Sequence, residues 1–420
     1  MNFVIVGSGP AGIFAAEAIR RLDWESTVTM VTRDRQPALS PVMLSYWLAG
    51  RREEALFFRD LSWPEKLNVD FRPDSRAGSL DTLSRKLVMT AGEAIPYDRL
   101  LIATGANPIS LPIPGIKTKG GIRTNGVVSF RTPSDAEKIL EDECHGREVI
   151  IIGGGFIGLK LACHLKERGL EVTILEKEPK LAFRMFDLKT SRIVGKKLGE
   201  SGIRVETGGE AAEVLSEKGW VSAVKMKDGR ILPCQRIVEA VGVRPNVQWL
   251  AGSGIDLKGG IPVSERQETN VSGVYAAGDA AVTIDSITSE RVSNATWPAA
   301  TRQGTVAGVN MAGGSLRYIH NYALNALNLF GLRVMAAGHS YYDEEESGVR
   351  ILLEERGEVY RKQVTRDGRL IGFILIGDTS GAGLLLSRIM RKEESLAQRG
   401  LPPNLGYRHG RLFEENVEAL

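Results

Sequence analysis

The stretch Asn2-Phe3-Val4-Ile5-Val6-Gly7-Ser8-Gly9-Pro10-Ala11-Gly12 decides the fold of this chain. Its apolar start has the length of one buried strand, and the glycines that follow form a G-x-G-x-x-G pattern. Residues 13–22 then carry apolar side chains at helical spacing. A strand, a glycine turn and a helix in this order predict a dinucleotide-binding unit, with the phosphates at the N-terminus of the helix.

A second copy of this pattern begins at Val149. The run Val149-Ile150-Ile151-Ile152 leads into Gly153-Gly154-Gly155-Phe156-Ile157-Gly158, and residues 159–168 have the spacing of a helix. Two copies make a chance match far less probable than one glycine motif alone would be. The chain is therefore predicted to contain two nucleotide-binding units.

The residue after the next strand differs between the two copies. In the second copy Glu176 ends the strand 171–175. An acidic residue at this point accepts hydrogen bonds from a ribose 2′-OH and repels a 2′-phosphate, so the second unit is predicted to prefer NADH over NADPH. Lys177 beside it could soften that preference. In the first copy Thr32 stands at the equivalent place, and Asp34 is the nearest acid.

Composition restricts the class of protein. The 420 residues suggest two or three domains, with ordinary shares of hydrophobic (43%) and charged (25%) residues. A net charge of +3 is too small to indicate nucleic-acid binding. No apolar run is long enough for a membrane span, and we expect no signal peptide and no metal site. Three cysteines without a C-x-x-C pair favour a reducing cytoplasm.

Further segments indicate how the domains are connected. The proline-rich stretch 111–116 predicts a first boundary, and residues 134–141 predict a helix that leads into the second nucleotide unit. Asp228-Gly229 predicts a hairpin turn. From Arg317 onward we expect a separate α+β domain, with strands at 332–336, 358–365 and 370–375 and a helix at 384–391. Ser40 precedes Pro41 and is a candidate helix N-cap.

A family resemblance is carried by both glycine motifs together with three further stretches: Ala103-Thr104-Gly105, Val241-Gly242-Val243-Arg244-Pro245-Asn246 and Gly278-Asp279. The chain resembles the FAD-dependent pyridine nucleotide-disulfide oxidoreductase superfamily over about its first 315 residues. Within it, Met43-Leu44-Ser45, Trp297-Pro298, Asn328 to Leu332 and Gly372 to Asp378 resemble the branch of rubredoxin reductases, nitrite reductase large subunits and NADH oxidases.

This resemblance implies an α/β fold with two Rossmann-like, three-layer nucleotide-binding domains of the glutathione-reductase-like type and a C-terminal α+β domain. It implies a discontinuous FAD-binding domain at 1–115 and 243–316. It further implies an NAD(H)-binding domain at 116–242 and an interface domain at 317–420.

The resemblance also implies the cofactor-binding residues. For FAD these are Gly7, Gly9, Pro10, Ala11, Gly12, Asp34, Pro41, Thr104, Gly105, Gly278, Asp279 and Trp297. For NADH they are Gly153, Gly155, Phe156, Ile157, Gly158, Glu176 and Gly242. Asp279 is expected to accept hydrogen bonds from the FAD ribitol, or to cap a helix. Trp297 is expected near the flavin or, equally, in the core.

The chain departs from the family at two places. Disulfide-reducing relatives carry a cysteine pair on the early helix, and oxidase or peroxidase relatives carry one cysteine near Val42 or Met43; this chain has neither. A thiol relay is therefore not expected, and Cys144, Cys163 and Cys234 are interpreted as ordinary buried thiols. Lys160 stands where relatives usually have a glutamate. It is a candidate catalytic residue that stabilises the negative charge of a reduced flavin, or a lysine that reaches to solvent.

These observations predict an FAD-dependent enzyme that oxidises NADH and passes electrons to a small rubredoxin- or ferredoxin-like protein. One alternative is an NADH oxidase that reduces oxygen directly. Another is a flavoprotein docking subunit of a larger electron-transfer complex. We also expect a homodimer or a subunit of a redox complex.

Overall fold

The structure is a computed structural model that describes residues 1–118, 120–141 and 148–391, and the backbone of residues 405–408 and 411–414. The chain divides into two compact units. Unit 1 contains Met1–Ser110, Ser129–Glu141 and Gly242–Asn321. Unit 2 contains Leu111–Val128, Asp142–Val241 and Tyr322–Leu420.

The strands and helices of the described chain have the following bounds. The strands up to residue 129 are β1 (Asn2–Val6), β2 (Thr27–Val31), β3 (Asp70–Arg72), β4 (Ala77–Asp81), β5 (Lys86–Met89), β6 (Ala94–Pro96), β7 (Arg99–Ile102), β8 (Ala106–Pro108) and β9 (Val127–Ser129). The next strands are β10 (Glu148–Ile152), β11 (Glu171–Glu176), β12 (Ile203–Thr207), β13 (Ala211–Glu217), β14 (Trp220–Met226), β15 (Ile231–Pro233), β16 (Arg236–Glu239), β17 (Val243–Pro245), β18 (Ile261–Pro262), β19 (Val274–Ala276), β20 (Ala281–Ile284) and β21 (Arg291–Val292). The last strands are β22 (Leu324–Leu329), β23 (Leu332–Gly338), β24 (Val349–Arg356), β25 (Val359–Arg366), β26 (Arg369–Ile376), β27 (Leu405–Arg408) and β28 (Arg411–Glu414). The α-helices are α1 (Pro10–Leu22), α2 (Leu44–Leu48), α3 (Trp63–Lys66), α4 (Pro133–Leu140), α5 (Phe156–Glu167), α6 (Leu188–Glu200), α7 (Trp297–Met311) and α8 (Ala382–Arg391).

Unit 1 is built on a parallel sheet with the strand order β19-β7-β1-β2-β3. Val6 lies in register with Val31 and Ile102, so three strands end side by side just before the first glycine turn. Helix α7 packs very closely on α1, because a Cβ on Gly304 would lie 2.1 Å from the carbonyl oxygen of Ala11. Only glycine permits that approach.

Unit 2 contains a second parallel sheet, β12-β11-β10-β16-β9, that repeats the arrangement of the first. Ile152 lies in register with Leu175 and Glu239, and the second glycine turn follows directly. The predicted hairpin is confirmed, since β14 and β15 pair antiparallel on either side of Asp228-Gly229. The two glycine motifs therefore occupy equivalent places, at the C-terminal edges of two similar sheets.

The C-terminal part of unit 2 forms an antiparallel sheet with the order β22-β23-β26-β25-β24. Strands β23, β25 and β26 and helix α8 confirm the predicted runs, and the predicted fold class is confirmed with them. Strands β22 and β24 were not predicted. Apolar and polar residues are mixed in β22, and the apolar run of β24 is only three residues long and flanked by charged residues.

One local prediction needs correction. Ser40 occupies the N-cap position of a short 3₁₀ helix, Pro41–Met43, but its side chain makes no capping hydrogen bond there, so the predicted cap is wrong. Helix α4 confirms the helix predicted at 134–141; it belongs to unit 1 and leads into the long segment of unit 2 that contains the second glycine turn. Cys144 lies outside the described residues. No helix of the described chain is long and apolar enough to cross a membrane.

Candidate functional site

The first glycine turn links β1 to α1 in a geometry that only glycine permits. Gly7 has a φ of +112°, and a Cβ at this position would lie 2.2 Å from the carbonyl oxygen of Ala103. A Cβ on Gly12 would lie 2.0 Å from the carbonyl oxygen of Gly7. The turn is therefore tight, and the first turn of α1 lies directly against it.

The space in front of this turn suits a diphosphate. Nothing lies within 4 Å of the position that a Cβ on Gly9 would take, so a ligand can reach the backbone there. Gly9 is also the N-cap of α1 and offers no capping side chain, while Pro10 occupies the first helical turn. The N-terminal N–H groups and the positive end of the helix dipole are thus available to an anion. The residues present fit the phosphates of FAD.

The end of β2 shows how the missing acid is replaced. The hydroxyl of the buried Thr32 accepts a hydrogen bond from Ser8 Oγ at 3.0 Å and another from the backbone N–H of Asp34 at 3.1 Å. Thr32 thereby occupies the place of the usual acid at the end of β2 and orients the loop that contains Asp34. Asp34 is half-buried, and its carboxylate is the acidic group that this end of the site offers to a ribose.

Arg131 joins the predicted FAD residues, although no sequence motif marks it. Its Nη2 donates to Asp279 Oδ2 at 2.8 Å, and both side chains are largely buried. The same nitrogen lies 3.5 Å from the position of a Cβ on Gly105. Asp279 therefore stands inside a short 3₁₀ helix, Gly278–Ala280, with an arginine partner, and it is not a helix N-cap.

The other predicted FAD residues of this edge are held by backbone contacts within unit 1. Thr104 Oγ1 donates to the carbonyl oxygen of Asn246 at 2.8 Å. The N–H of Gly278 donates to the buried Gln303 side chain at 2.8 Å. Gly105 and Gly278 both have positive φ values, +64° and +74°. These bonds fix the turns that follow β7 and β19.

Trp297 starts α7 and packs within an aromatic cluster of unit 1. Its ring meets Phe58 edge-on at 4.7 Å between centroids. Arg59 lies over the rings of Phe58 and Phe14, 5.4 Å from each centroid, and pairs with Glu17 at 2.7 Å. Trp297 is only partly buried. Core packing of this tryptophan is thus evident, and its contact with the flavin stays a prediction.

The second glycine turn repeats the first almost point for point. Gly153 has a φ of +116°, and its Cβ would lie 2.4 Å from the carbonyl oxygen of Ala240. A Cβ on Gly158 would lie 2.0 Å from the carbonyl oxygen of Gly153, whereas the space at Gly155 is open. Helix α5 begins after Gly155 without a capping side chain. A second diphosphate fits here, as a pyridine nucleotide requires.

Glu176 is fixed against the second turn by two backbone donors. Its Oε2 accepts from the N–H of Gly154 at 2.7 Å, and its Oε1 accepts from the N–H of Glu178 at 2.9 Å. Each carboxylate oxygen keeps a further lone pair for a ribose hydroxyl. Lys177 is exposed and pairs with Glu178 at 3.7 Å, so its charge is partly countered.

Phe156, Ile157 and Gly242 have different surroundings. Phe156 packs edge-on against the fully buried Phe186, with centroids 5.4 Å apart, whereas Ile157 is 44% exposed. Gly242 has a φ of +113° and begins the last segment of unit 1, whereas the other predicted NADH residues belong to unit 2. The NADH contact of Gly242 stays a prediction.

Lys160 lies half-buried on α5, two residues after Gly158. Burial lowers the pKa of its ammonium group. Burial and the charge of Lys160 also lower the pKa of His164, one turn further along the helix. Lys160 makes no hydrogen bond or ion pair with another described residue. Its charge is therefore not neutralised within the part of the chain that the structure describes.

The two described cysteines are poorly suited to redox catalysis. Cys163 and Cys234 are buried, and burial, together with the nearby charges of Glu167 and Glu148, raises the pKa of each thiol to about 12. A thiol with such a pKa is almost fully protonated at neutral pH and is a poor nucleophile. Their interpretation as ordinary buried thiols agrees with this environment. Among the described residues, no cluster of His, Cys, Asp or Glu side chains could hold a metal ion.

Comparisons with known proteins support the same assignment. A family model described as pyridine nucleotide-disulphide oxidoreductase matches residues 1–304, and one described as rubredoxin NAD+ reductase C-terminal domain matches residues 324–393. The chain is 30% identical to the NADH-dependent phenylglyoxylate dehydrogenase subunit epsilon of Aromatoleum evansii, over 94% of this chain and 92% of that protein.

Two further proteins extend the comparison. The NADH oxidase of Methanocaldococcus jannaschii is 32% identical, over 74% of this chain and 70% of that protein. The solved structure of an NAD-dependent persulfide reductase from A. fulgidus is 26% identical, with a TM-score of 0.87 over 96% of this chain and 79% of that one. With two open glycine turns and a family model that spans more than half of its length, the chain belongs to the pyridine nucleotide-disulphide oxidoreductase family, whose members use FAD and a pyridine nucleotide.

Proposed function

We propose that this protein is an FAD-dependent NADH oxidoreductase that delivers electrons to a small redox protein of the rubredoxin or ferredoxin type. The observation that carries the proposal is the pair of matching, open glycine turns, each at the C-terminal edge of its own parallel sheet. The match of residues 324–393 to a rubredoxin NAD+ reductase C-terminal domain supports this class of acceptor.

In this proposal the first unit holds FAD. Bound FAD supplies the redox chemistry, since its ring system can take a hydride from NADH and release electrons to an acceptor. The N-terminus of α1 binds the diphosphate, Asp34 the ribose and Asp279 the ribitol. Arg131 holds the carboxylate of Asp279 in place and adds a positive charge beside Gly105.

The second glycine turn and Glu176 hold NADH. The carboxylate accepts hydrogen bonds from the ribose hydroxyls and repels a 2′-phosphate, which favours NADH over NADPH. Lys160 supplies a positive charge that no described ion pair neutralises, two residues after this turn. We assign it the role of stabilising negative charge that develops during reduction.

The acceptor takes its electrons without a thiol relay. Cys163 and Cys234 are buried, burial raises the pKa of both thiols, and no cysteine stands near Val42 or Met43, where oxidase and peroxidase relatives carry one. An acceptor protein must therefore come within short range of the cofactor. We assign FAD to 1–115 and 243–316 together with the segment 129–141, which belongs to unit 1. We assign NADH to the rest of 116–242 and the interface role to 317–420. We further propose a cytoplasmic protein that forms a homodimer or joins a redox complex.

Purified protein tested against a panel of acceptors decides the proposal. We expect about one FAD per chain. NADH oxidation should be fast with oxidised rubredoxin or ferredoxin and slow with oxygen alone. An equally fast reaction with oxygen would instead identify an NADH oxidase, the activity named for the Methanocaldococcus jannaschii relative.

A lysine variant tests the role of Lys160. Lys160→Met should slow flavin reduction at saturating NADH by at least about tenfold, because one aligned positive charge is removed. Lys166→Met on the same helix is the matched control, since Lys166 pairs with Glu171 at the surface. Equal rates in the two variants would exclude a catalytic role for Lys160.

A second candidate function is a flavoprotein subunit within a larger electron-transfer complex. It is favoured by the similarity, along nearly the whole chain, to a protein that is itself the epsilon subunit of a dehydrogenase. Isolation of the protein at native abundance should then recover a stable complex with iron–sulfur subunits. Recovery of the protein alone, with full turnover on a small carrier, would favour the first proposal.

A further inference from the structure

The segment 180–187, between β11 and α6, lies against the second glycine turn. The N–H of Ala182 donates to the carbonyl oxygen of Gly154 at 2.9 Å. A side-chain carbon of Leu181 lies 2.7 Å from the position of a Cβ on Gly154. Phe186 packs on Phe156, the first residue of α5. This segment therefore packs against the second glycine turn, next to Glu176.

The conformation of the segment is not one that its residues favour by themselves. Ala182 has a φ of +44°, in the left-handed region that an alanine rarely adopts. Such backbone strain persists where surrounding contacts hold the residue in place. The contacts that hold this segment come from the C-terminal sheet and the loop that follows β23.

The loop after β23 makes the first set of contacts. Ser340, which is fully buried, donates to the carbonyl oxygen of Met185 at 2.7 Å. Asp343 pairs with Lys180 at 2.7 Å and accepts a hydrogen bond from the N–H of Leu188. Lys180 itself is 7% exposed and also donates to the carbonyl oxygen of Tyr341 at 3.1 Å. Both ends of the segment are thus bonded to one loop.

Strand β25 makes the second set of contacts, at Asp187. Lys362 Nζ donates to Asp187 Oδ2 at 2.7 Å, and the hydroxyl of Tyr360 donates to the same oxygen at 2.6 Å. Asp187 Oδ1 accepts from the N–H of Thr190 at 2.7 Å and so caps α6. All of these atoms are buried inside unit 2.

We propose that the C-terminal sheet positions the pyridine nucleotide site, with Asp343 and Ser340 as positioning residues that act through the segment 180–187. Removal of either contact lets the segment relax, and the glycine turn and Glu176 lose the support that holds their hydrogen-bonding groups in register. A binding site of this kind is only as well ordered as the residues behind it. The inference rests on the proposed NADH site and adds the residues that set its affinity.

Binding of ADP-ribose to the FAD-loaded full-length protein tests this proposal by calorimetry. ADP-ribose carries the adenosine, the diphosphate and the second ribose of NADH but not the nicotinamide, so its affinity reports on the nucleotide site and not on contacts of the reacting ring. We expect Asp343→Asn and Ser340→Ala each to raise the Kd by about tenfold, a usual size for coupling between neighbouring sites. The limiting rate of flavin reduction at saturating NADH should stay unchanged.

Glu355→Gln is the matched control. Glu355 pairs with Lys189 at 3.1 Å, between the same two parts of unit 2, but both side chains are about half exposed and neither belongs to the segment. This variant should bind ADP-ribose like the unaltered protein. If Asp343→Asn fails to fold, Ser340→Ala still tests the proposal, because it removes only a single hydroxyl.

Three results would overturn the inference in distinguishable ways. Folded variants that bind ADP-ribose normally would show that the contacts do not act on the site. A lower melting temperature with an unchanged Kd would show a purely structural role. If the unaltered protein binds neither ADP-ribose nor NADH, the proposed NADH site itself is wrong and this inference falls with it.

Discussion

Substitution of Lys362 by methionine removes the buried cation that pairs with Asp187. The side chains of Lys362 and Asp187 are 1% and 5% exposed, and their charged atoms lie 2.7 Å apart. Methionine has a similar length and no charge, so the cavity stays filled. Asp187 then keeps the N–H of Thr190 and the hydroxyl of Tyr360 as donors but loses its ion-pair partner.

The size of the effect follows from this burial. Removing one partner of a buried ion pair leaves an uncompensated charge and costs about 3–5 kcal/mol. The double variant Asp187→Asn/Lys362→Met removes both charges and should recover most of that loss. Lys189→Met is the matched control, because an exposed pair such as Lys189–Glu355 contributes about 0–1 kcal/mol.

Native-state hydrogen exchange is the appropriate assay, because a chain of two compact units need not unfold in a single step. The amides of α6, which Asp187 caps, should exchange about 10² to 10⁴ times faster in Lys362→Met. The control Lys189→Met should show exchange close to that of the unaltered protein.

The pH dependence of stability provides an independent test of the direction in which ionised Asp187 changes the stability of the two proteins. Burial would raise the pKa of Asp187, but hydrogen bonds from Lys362, Thr190 and Tyr360 outweigh it and hold the pKa below its ordinary value. A carboxyl group with a lowered pKa stabilises the fold above its ordinary pKa, about 3.9, and this contribution is lost as the pH falls through the folded-state pKa. In Lys362→Met the buried carboxylate is unpaired at neutral pH, and protonation relieves it. The difference between the two proteins should therefore begin to shrink above the ordinary carboxyl pKa, as the buried carboxyl of Lys362→Met takes up a proton, and should shrink further as the pH falls through the folded-state pKa of the unaltered protein.

One result would refute this reasoning directly. If Lys362→Met exchanged no faster than Lys189→Met, the buried pair would contribute no more than an exposed one. A double variant as unstable as the single one would also contradict it, because the loss would then not arise from an unpaired charge.

Three further predictions concern the cofactor sites. Glu176→Ala should narrow the preference for NADH over NADPH, measured as the ratio of the two Kd values in stopped-flow flavin reduction, and an unchanged ratio would contradict the ribose assignment. The triple variant Cys144→Ser/Cys163→Ala/Cys234→Ala should keep flavin reduction by NADH, whereas a folded, FAD-loaded variant without activity would reveal a required thiol. Arg131→Gln should raise the Kd for FAD by about tenfold or more, measured by ultrafiltration, because a charge-assisted hydrogen bond to Asp279 is lost; retention equal to that of Arg131→Lys would contradict this.

Some features of this protein follow from short stretches of sequence. The turns at Gly7 and Gly153 both have φ values above +110°, and a glycine between an apolar run and a helical run is enough to predict them. The same holds for the antiparallel hairpin at Asp228-Gly229. In each case the determining interactions lie within a few residues, so local patterns carry the information.

Where a pattern was mixed, the prediction from sequence was incomplete. Strand β24 lies on a mostly exposed sheet edge, and its short apolar run, Ile351 to Leu353, is flanked by the charged residues Arg350, Glu354 and Glu355. Its identity is decided by pairing with β25, and a single strand cannot show which neighbour will pair with it.

The sequence by itself therefore determined the two dinucleotide turns, the acidic residue at the end of β11 and the absence of the family's redox cysteines. Only the tertiary structure decided that Arg131 meets Asp279, 148 positions away, and that Lys362 meets Asp187, 175 positions away. Neither partner carries a local signature, because an arginine or a lysine in a strand or loop is usually solvated. The physical reason is that an ion pair depends on the distance between two side chains in space, and that distance is set by the packing of sheets and helices between them.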